Sequence, residues 1–99
     1  MTPRIHLSST AQKDVAAAKE WYADQNVPGL DLLFQGELEH VFRQVERFPA
    51  GFPVVHRDLR RANLHRFPYA VFFHPRGDKL YVVAVIHHAR HPRVWQRRR

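Results

Sequence analysis

The sequence contains no cysteine, so no disulfide framework can stabilise the fold and no thiolate site can form. Long apolar runs are absent as well, because the apolar segment at residues 81–86 is far shorter than the roughly 20 residues of a transmembrane helix. The first residues, MTPRIHLSS, lack the apolar core of a secretory signal. We therefore expect a cytoplasmic protein without a membrane partner.

Acidic residues are scarce in the second half of the chain. Residues 53–99 contain eleven Lys and Arg against two Asp and Glu, a net charge of +9, whereas residues 1–52 contain five against seven, a net charge of −2. Six of the eight histidines also lie in the second half. This polarity predicts an anionic partner for the C-terminal half, either a nucleic acid or an acidic protein surface. The alternative is a solubilising face that continues into a disordered basic tail.

The length and composition predict one globular domain. The 99 residues suffice for one hydrophobic core, and 44% of them are apolar, which is ordinary for a folded protein. We assign the single domain to residues 1–99 and expect the basic end, residues 96–99, to be mobile. Trp95, just before this end, is expected to anchor the tail against the sheet.

Two helices are predicted in the first half. In AQKDVAAAKEWYADQN, apolar residues recur at helical spacing from Ala11 to Tyr22, and Ser9 with Gln12 resembles a capping box. The dipeptide PG ends this helix, and the short connection predicts an antiparallel helical hairpin. A second apolar stripe follows with a period of 3.6 residues, and FPAGFP ends it. Its members are Leu30, Leu33, Phe34, Leu38, Val41, Phe42, Val45 and Phe48.

The second half has the pattern of strands. LRRANL and FPYAVFFH are predicted strands, and alternation in the second puts Tyr69, Val71 and Phe73 on one face. RGD at residues 76–78 is a hairpin turn into KLYVVAVIHH, an interior strand because it is apolar on both faces. A short strand at residues 4–8 would add to these three. We predict an α+β domain, a helical hairpin packed on a three- to four-stranded antiparallel sheet, with the cations on its other face or an edge.

Several of these segments together resemble the ParE/RelE superfamily, the toxins of bacterial type II toxin–antitoxin systems. The similar segments are the helix pair, FPY within an Arg-rich hairpin, the motif H-x-x-R-x-P that starts at His87, and Trp95. The resemblance spans about residues 5–95 and is closer to the ParE branch, often labelled plasmid-stabilisation proteins, than to the ribosome-dependent RNases. It implies the same α+β fold, no cofactor, and a cognate antitoxin protein that neutralises the toxin.

The superfamily implies two modes of action. ParE members inhibit DNA gyrase, and we expect this mode here. RelE-like members cleave mRNA on the ribosome, which requires a general base, a general acid and cations. For that alternative the resemblance assigns catalysis to Arg66, His87 and Arg90, although the glutamate of YoeB-type RNases is absent. Because the start of one hairpin strand faces the end of the next, these three residues should lie at one end of the sheet.

Further residues are expected to contact partners. A nucleic acid or protein target should bind Arg60, Arg61, Arg66, His88 and Arg93. The alternatives are a solvated face of scattered charge, or a plain nucleic-acid-binding module. A zinc site at His87, His88 and His91 is not expected, because the spacing is tight and neither cysteine nor a nearby carboxylate completes the sphere.

An apolar surplus predicts where the antitoxin binds. Trp21, Tyr22 and Phe34 add bulk at the rim of what one small core needs. Surplus apolar surface marks a partner site, so an extended or helical segment of the antitoxin should cross the helical hairpin and sheet there.

Overall fold

Two long helices cover one face of a five-stranded sheet in the computed structural model, which describes residues 4–99. The α+β class and the helical hairpin on a sheet are confirmed, with more strands than predicted. The first three residues, which belong to the N-terminal segment without an apolar signal core, lie outside the described residues. The elements in chain order are β1 (Ile5–Leu7), α1 (Ser9–Ala23), α2 (Leu30–Arg47), a 3₁₀ turn (Pro49–Gly51), β2 (Val54–His56), β3 (Leu59–Asn63), β4 (Tyr69–Arg76), β5 (Lys79–His87) and α3 (Arg93–Gln96).

The sheet has the strand order β1-β5-β4-β3-β2, and it is not wholly antiparallel. β1 pairs in parallel with β5, which corrects the predicted antiparallel sheet. Parallel neighbours require a long crossover, and here the helical hairpin lies within it. β2, the strand that the sequence pattern missed, is only three residues long and pairs irregularly with β3. The interior position predicted for β5 is confirmed, because it lies between β1 and β4.

The main core lies between the helices and the sheet. Both predicted helical stripes point into it, with the exception of two members of the second stripe: Leu33 is 53% exposed and Phe48 is 65% exposed. The capping residue of α1 is Ser8 rather than Ser9, and its hydroxyl accepts a hydrogen bond from the backbone N–H of Ala11 at 3.0 Å. The buried residues that the helices contribute are Ala11, Ala18, Tyr22, Phe34, Leu38, Val41 and Val45.

A bulge in β5 reverses the alternation of its side chains. Phe72 lies opposite Ala84 and Phe73 lies opposite Val82, so Val83 is an extra residue in the ladder. Before the bulge even-numbered residues face the helices, as Val82 does, and after it odd-numbered residues do. His87, opposite Tyr69, therefore comes to the helix side of the sheet end.

The C-terminal tail folds onto the face of the sheet opposite the helices. Trp95 is buried there and stacks on Phe72, with ring centroids 4.3 Å apart and planes 14° from parallel, which confirms its expected anchoring role. Arg98 forms an ion pair with Asp14 of α1, and Arg99 forms one with Asp58. The mobility expected for residues 96–99 stays a prediction, and these ion pairs oppose it.

Replacement of Trp95 should destabilise the fold, whereas replacement of the other tryptophan should not. Trp95 is 8% exposed and Trp21 is 57% exposed. Trp95→Ala should lower the free energy of unfolding by about 3 kcal/mol or more, because a large buried side chain leaves a cavity. Trp21→Ala, the matched control, should cost less than about 1 kcal/mol. Urea unfolding of the two variants measures the difference, and equal values would contradict the packing of the tail.

Acid should release the end of the tail. The hydrogen bond from Arg99 lowers the pKa of Asp58 from 3.8 to about 2, so the pair contributes stability above the ordinary pKa and loses it as the pH falls through about 2. NMR titration of the Asp58 carboxyl should give this low midpoint, and the ordering of Arg99 should follow the same curve. Asp58→Asn should release Arg99 at every pH. A midpoint near 3.8 would show that the ion pair does not persist in solution.

Candidate functional site

The predicted site residues lie at the end of the sheet where β4 begins and β5 ends. Tyr69 of β4 lies opposite His87 of β5 in the antiparallel ladder. Arg66, in the loop before β4, lines one cavity together with His87, and Arg90 lines a second cavity together with His87. The structure thus brings all three residues to one end of the sheet, with His87 shared between the two cavities.

The loop that carries Arg66 is held by hydrogen bonds from both sides. The carboxylate of Glu37 in α2 accepts from the backbone N–H groups of His65 at 2.6 Å and Arg66 at 3.1 Å. The backbone N–H of His88 donates to the carbonyl of Pro68 at 2.8 Å. The backbone is therefore positioned while the side chain of Arg66 stays exposed. Sequence reasoning missed Glu37, since nothing distinguishes it from the other polar residues on the outside of a helix.

His87 is oriented by the turn that follows it. Its Nδ1 accepts a hydrogen bond from the backbone N–H of Ala89 at 2.9 Å, and its ring packs edge-on against Tyr69 with centroids 5.2 Å apart. Because Nδ1 is the acceptor, the neutral ring carries its proton on Nε2. That nitrogen can donate a hydrogen bond, but it has no lone pair with which to take a proton from a substrate.

The two tyrosines beside His87 are neutral phenols at physiological pH. Burial raises the pKa of Tyr69 above its usual value of 10, and the positive charge of Arg90 opposes the shift. Burial, with a contribution from Tyr69, also raises the pKa of Tyr22. Neither phenol is ionised near pH 7, so neither can act as a general base there.

A cavity of about 590 Å³, here called the apolar cavity, opens between the helical hairpin and this end of the sheet. Arg66 and His87 supply its polar rim, and the exposed ring of Trp21 lies beside them. An apolar pocket with a cationic rim suits a bulky side chain of a protein partner that also carries negative charge. The other lining residues are Tyr22, Leu30, Phe67, Pro68 and Tyr69.

The residues predicted to bind the antitoxin differ in their exposure. Trp21 is exposed, and Tyr22, which is 7% exposed, forms an inner wall of the apolar cavity. Phe34 is fully buried, and it packs edge-on against Phe67 and Tyr69 with ring centroids 5.3 and 5.2 Å apart. Phe34 therefore belongs to the core and not to the rim where the sequence pattern placed it.

A second cavity of about 310 Å³, here called the cationic cavity, lies on the open face of the sheet beside Trp95. Arg61, His88 and Arg90 line it together with His87, and no carboxylate is among its lining residues in the described chain. Its floor is apolar and consists of Ala70, Phe72 and Ile86.

The predicted target-binding residues do not form one surface. Adjacent residues of a strand point to opposite faces, so Arg61 lines the cationic cavity while Arg60 points to the other face. The guanidinium of Arg60 donates to the carbonyl of Phe52 and so supports the loop after the 3₁₀ turn, which removes it from the set that shares a cavity. Arg93 is exposed at the start of α3, outside the lining of both cavities.

Within residues 4–99, no three His, Asp or Glu side chains converge so that they could hold a metal ion. Across the same residues, no helix combines the length and the apolar character that crossing a membrane requires.

Comparison with known proteins identifies the family. The family model described as the ParE toxin of the type II toxin–antitoxin system, parDE, matches residues 5–92. The chain belongs to the ParE toxin family. A curated relative, toxin ParE2 of Mycobacterium tuberculosis, is 24% identical over 92 residues, which cover 93% of this chain and 88% of the relative.

The fold of this ParE-family toxin also has a counterpart among solved structures. A structure titled chromosomal ParDE TA system from P. aeruginosa superposes with a TM-score of 0.74 at 15% identity, covering 84% of this chain and 92% of the other. The resemblance noted from FPY and H-x-x-R-x-P is therefore confirmed. The matched region includes Arg66, His87 and Arg90, but it ends before Trp95 and the arginines of the tail.

Proposed function

We propose that this ParE-family toxin inhibits DNA gyrase by binding it, and that a cognate antitoxin neutralises the toxin. The observation that carries the proposal is the apolar cavity with its cationic rim, which Arg66 and His87 form beside the exposed Trp21. Such a pocket offers both buried contact area and charge complementarity to a protein surface.

The described residues around the apolar cavity include no suitable general base for proton transfer. The neutral ring of His87 carries its proton on Nε2, and the phenols beside it are not ionised near pH 7. The carboxylate of Glu37 accepts hydrogen bonds from two backbone N–H groups, and that of Asp58 is paired with Arg99. A nuclease needs a general base next to its general acid, so a binding mode of inhibition fits these residues better.

Antitoxin binding is supported by the apolar surface of the helical hairpin. Trp21, Leu32 and Leu33 are all more than half exposed, at 57%, 68% and 53%. Exposed apolar side chains in such number indicate a protein contact. The relative in the ParDE structure is titled as part of a toxin–antitoxin system, and by analogy we assign the same kind of partner to this surface.

A ribosome-dependent endoribonuclease is the second candidate, and one observation favours it. Arg66 and His87 line one cavity, so a guanidinium can neutralise phosphate charge while the imidazolium form of His87, which carries a proton on both nitrogens, protonates a leaving oxygen through Nε2. Arg90 lies beside Tyr69 at the same end of the sheet and could add charge stabilisation.

The two modes of action predict different results for the purified toxin. We expect it to block supercoiling of relaxed plasmid by gyrase and to leave mRNA intact in a translation extract. Arg66→Ala and Arg90→Ala should abolish growth inhibition on induction, while their stability changes by less than about 0.5 kcal/mol because exposed charges contribute little. Arg76→Ala, which removes the same charge at the turn at the far end of the β4–β5 hairpin, is the matched control and should remain toxic.

His87 separates the candidates. A gyrase binder should retain most of its toxicity as His87→Gln, because the amide preserves a hydrogen-bond donor, whereas a nuclease should lose its activity with the imidazole. Cleavage of mRNA by the wild-type chain, lost in His87→Gln, would overturn the gyrase proposal in favour of the endoribonuclease. Full toxicity of the Arg66 and Arg90 variants would place the function elsewhere on the molecule.

Trp21 should be a major contact for the antitoxin encoded beside the toxin gene. Trp21→Ala should weaken that complex by roughly 30-fold, the effect of losing a tryptophan hot spot. Phe48→Ala is the matched control, since Phe48 is also an aromatic residue that is more than half exposed, just after the C-terminal end of α2. Isothermal titration of the antitoxin into each variant gives the affinities. Equal losses in both variants, or a loss with Phe48→Ala alone, would place the antitoxin elsewhere.

A further inference from the structure

The cationic cavity has a chemistry different from that of the apolar cavity, although His87 contributes to both. Arg61, His88 and Arg90 converge on it from β3, the end of β5 and the following turn. These residues are far apart in sequence, so the fold and not a local charge run brings them together. In the described chain no acidic side chain lines the cavity to balance them.

Arg61 lacks a partner that the rest of the described chain could supply. It lies opposite Phe72 in the β3–β4 ladder, and its Nε is buried without a hydrogen-bond acceptor within residues 4–99. Leaving such a donor unsatisfied costs roughly 1–3 kcal/mol. The neighbouring Arg60 shows the contrast, because its guanidinium has a carbonyl acceptor at Phe52. Because Arg61 lines the cavity, an anion that enters it can accept hydrogen bonds from this guanidinium.

The ion pairs of the chain leave these cations available. The carboxylates of Asp14 and Asp58 are paired with Arg98 and Arg99 of the tail, whereas neither Arg61 nor Arg90 has a carboxylate partner among residues 4–99. Unpaired cations in a cavity favour an anionic ligand, and two guanidinium groups with an imidazole beside them match the oxygens of a phosphate group.

The surroundings of the cavity favour a polymer of phosphates over a single one. The chain leaves the cavity at Pro92 and continues into exposed Arg93 and Arg97. Successive phosphates of a nucleic acid would meet cations both in the cavity and along the tail. The second half of the chain carries a net charge of +9, which gives the long-range attraction that such binding requires.

We infer that the cationic cavity is a binding site for a phosphate of a nucleic-acid backbone, held by Arg61 and Arg90. His88 and the amide of Asn63 provide further polar groups at the cavity wall. Trp95 forms part of the wall and stays stacked on Phe72, so it shapes the cavity and does not stack on a base. Binding through phosphates positions the nucleic acid without reading its sequence.

The test is a titration of a fluorescently labelled short DNA duplex with the full-length toxin at several salt concentrations. The wild-type chain should bind with an affinity that falls steeply with salt. Arg61→Gln and Arg90→Gln should each weaken binding roughly tenfold, the effect of one charge-assisted hydrogen bond, and lower the salt slope by about one. Arg76→Gln removes an equal charge at the far turn and should change the affinity by less than about twofold.

Two further measurements show whether binding depends on the geometry of the Arg61 guanidinium or only on its charge. Arg61→Lys keeps the charge but loses the planar fork and Nε, so it should bind nearly as weakly as Arg61→Gln. Inorganic phosphate should compete with the duplex for wild type. A cooperative thermal unfolding transition shows that each variant is folded. Arg90 is exposed and lies outside β3, so Arg90→Gln tests the site even if a substitution at Arg61 disturbs that strand.

Several outcomes would overturn the inference. Equal losses with Arg76→Gln would mean that diffuse charge alone attracts the DNA, and wild-type affinity in Arg61→Lys would mean that Arg61 acts only as a point charge. Binding of inorganic phosphate without binding of the duplex would assign the cavity to a small anion. No gyrase is present in this experiment, so its result and that of the supercoiling assay can fail independently.

Discussion

The Asp14–Arg98 pair joins three parts of the molecule at the place where the sheet would otherwise be left open. β1 ends at Leu7 and the chain leaves into α1, so the next residues of β5 have no neighbouring strand on that side. The carboxylate of Asp14 accepts from the backbone N–H of Val85 at 3.0 Å, and the guanidinium of Arg98 donates to the carbonyl of Val83 at 3.1 Å. A helix residue and a tail residue thus complete the edge, and the same pair keeps α3 on the open face.

The division of the sheet end into two cavities depends on the β-bulge beside Phe72. Strict alternation from Leu80 would send His87 to the open face, together with the residues around Trp95. The extra residue Val83 reverses the alternation, so His87 faces the helices next to Tyr69 while His88 lines the cationic cavity. One inserted residue therefore decides which of two adjacent histidines faces the helices and reaches the apolar cavity, while both line the cationic cavity.

Elements with a clear period could be predicted from the sequence, and elements that depend on tertiary contacts could not. The core-facing residues of α2 and the alternation of β4 follow directly from apolar spacing, and the shared end for Arg66 and His87 follows from hairpin geometry. The three-residue β2 is too short to show a periodic pattern. The parallel pairing of β1 with β5 depends on a contact between residues far apart in the sequence, which a local pattern does not reveal. The role of Glu37 could not be predicted from the sequence, because it depends on which loop folds against the helix.

The two surfaces on either side of His87 have complementary uses if both proposals hold. DNA gyrase works on a duplex, so a protein that binds it near the DNA meets apolar protein surface and phosphate charge together. The apolar cavity offers apolar contact area to a protein surface, whereas a cationic cavity alone would bind any DNA. Arg66 in the apolar cavity and Arg90 in the cationic cavity would let one end of the sheet contact both partners at once. Selectivity for a DNA-bound enzyme over free DNA would then come from the requirement to fill both cavities.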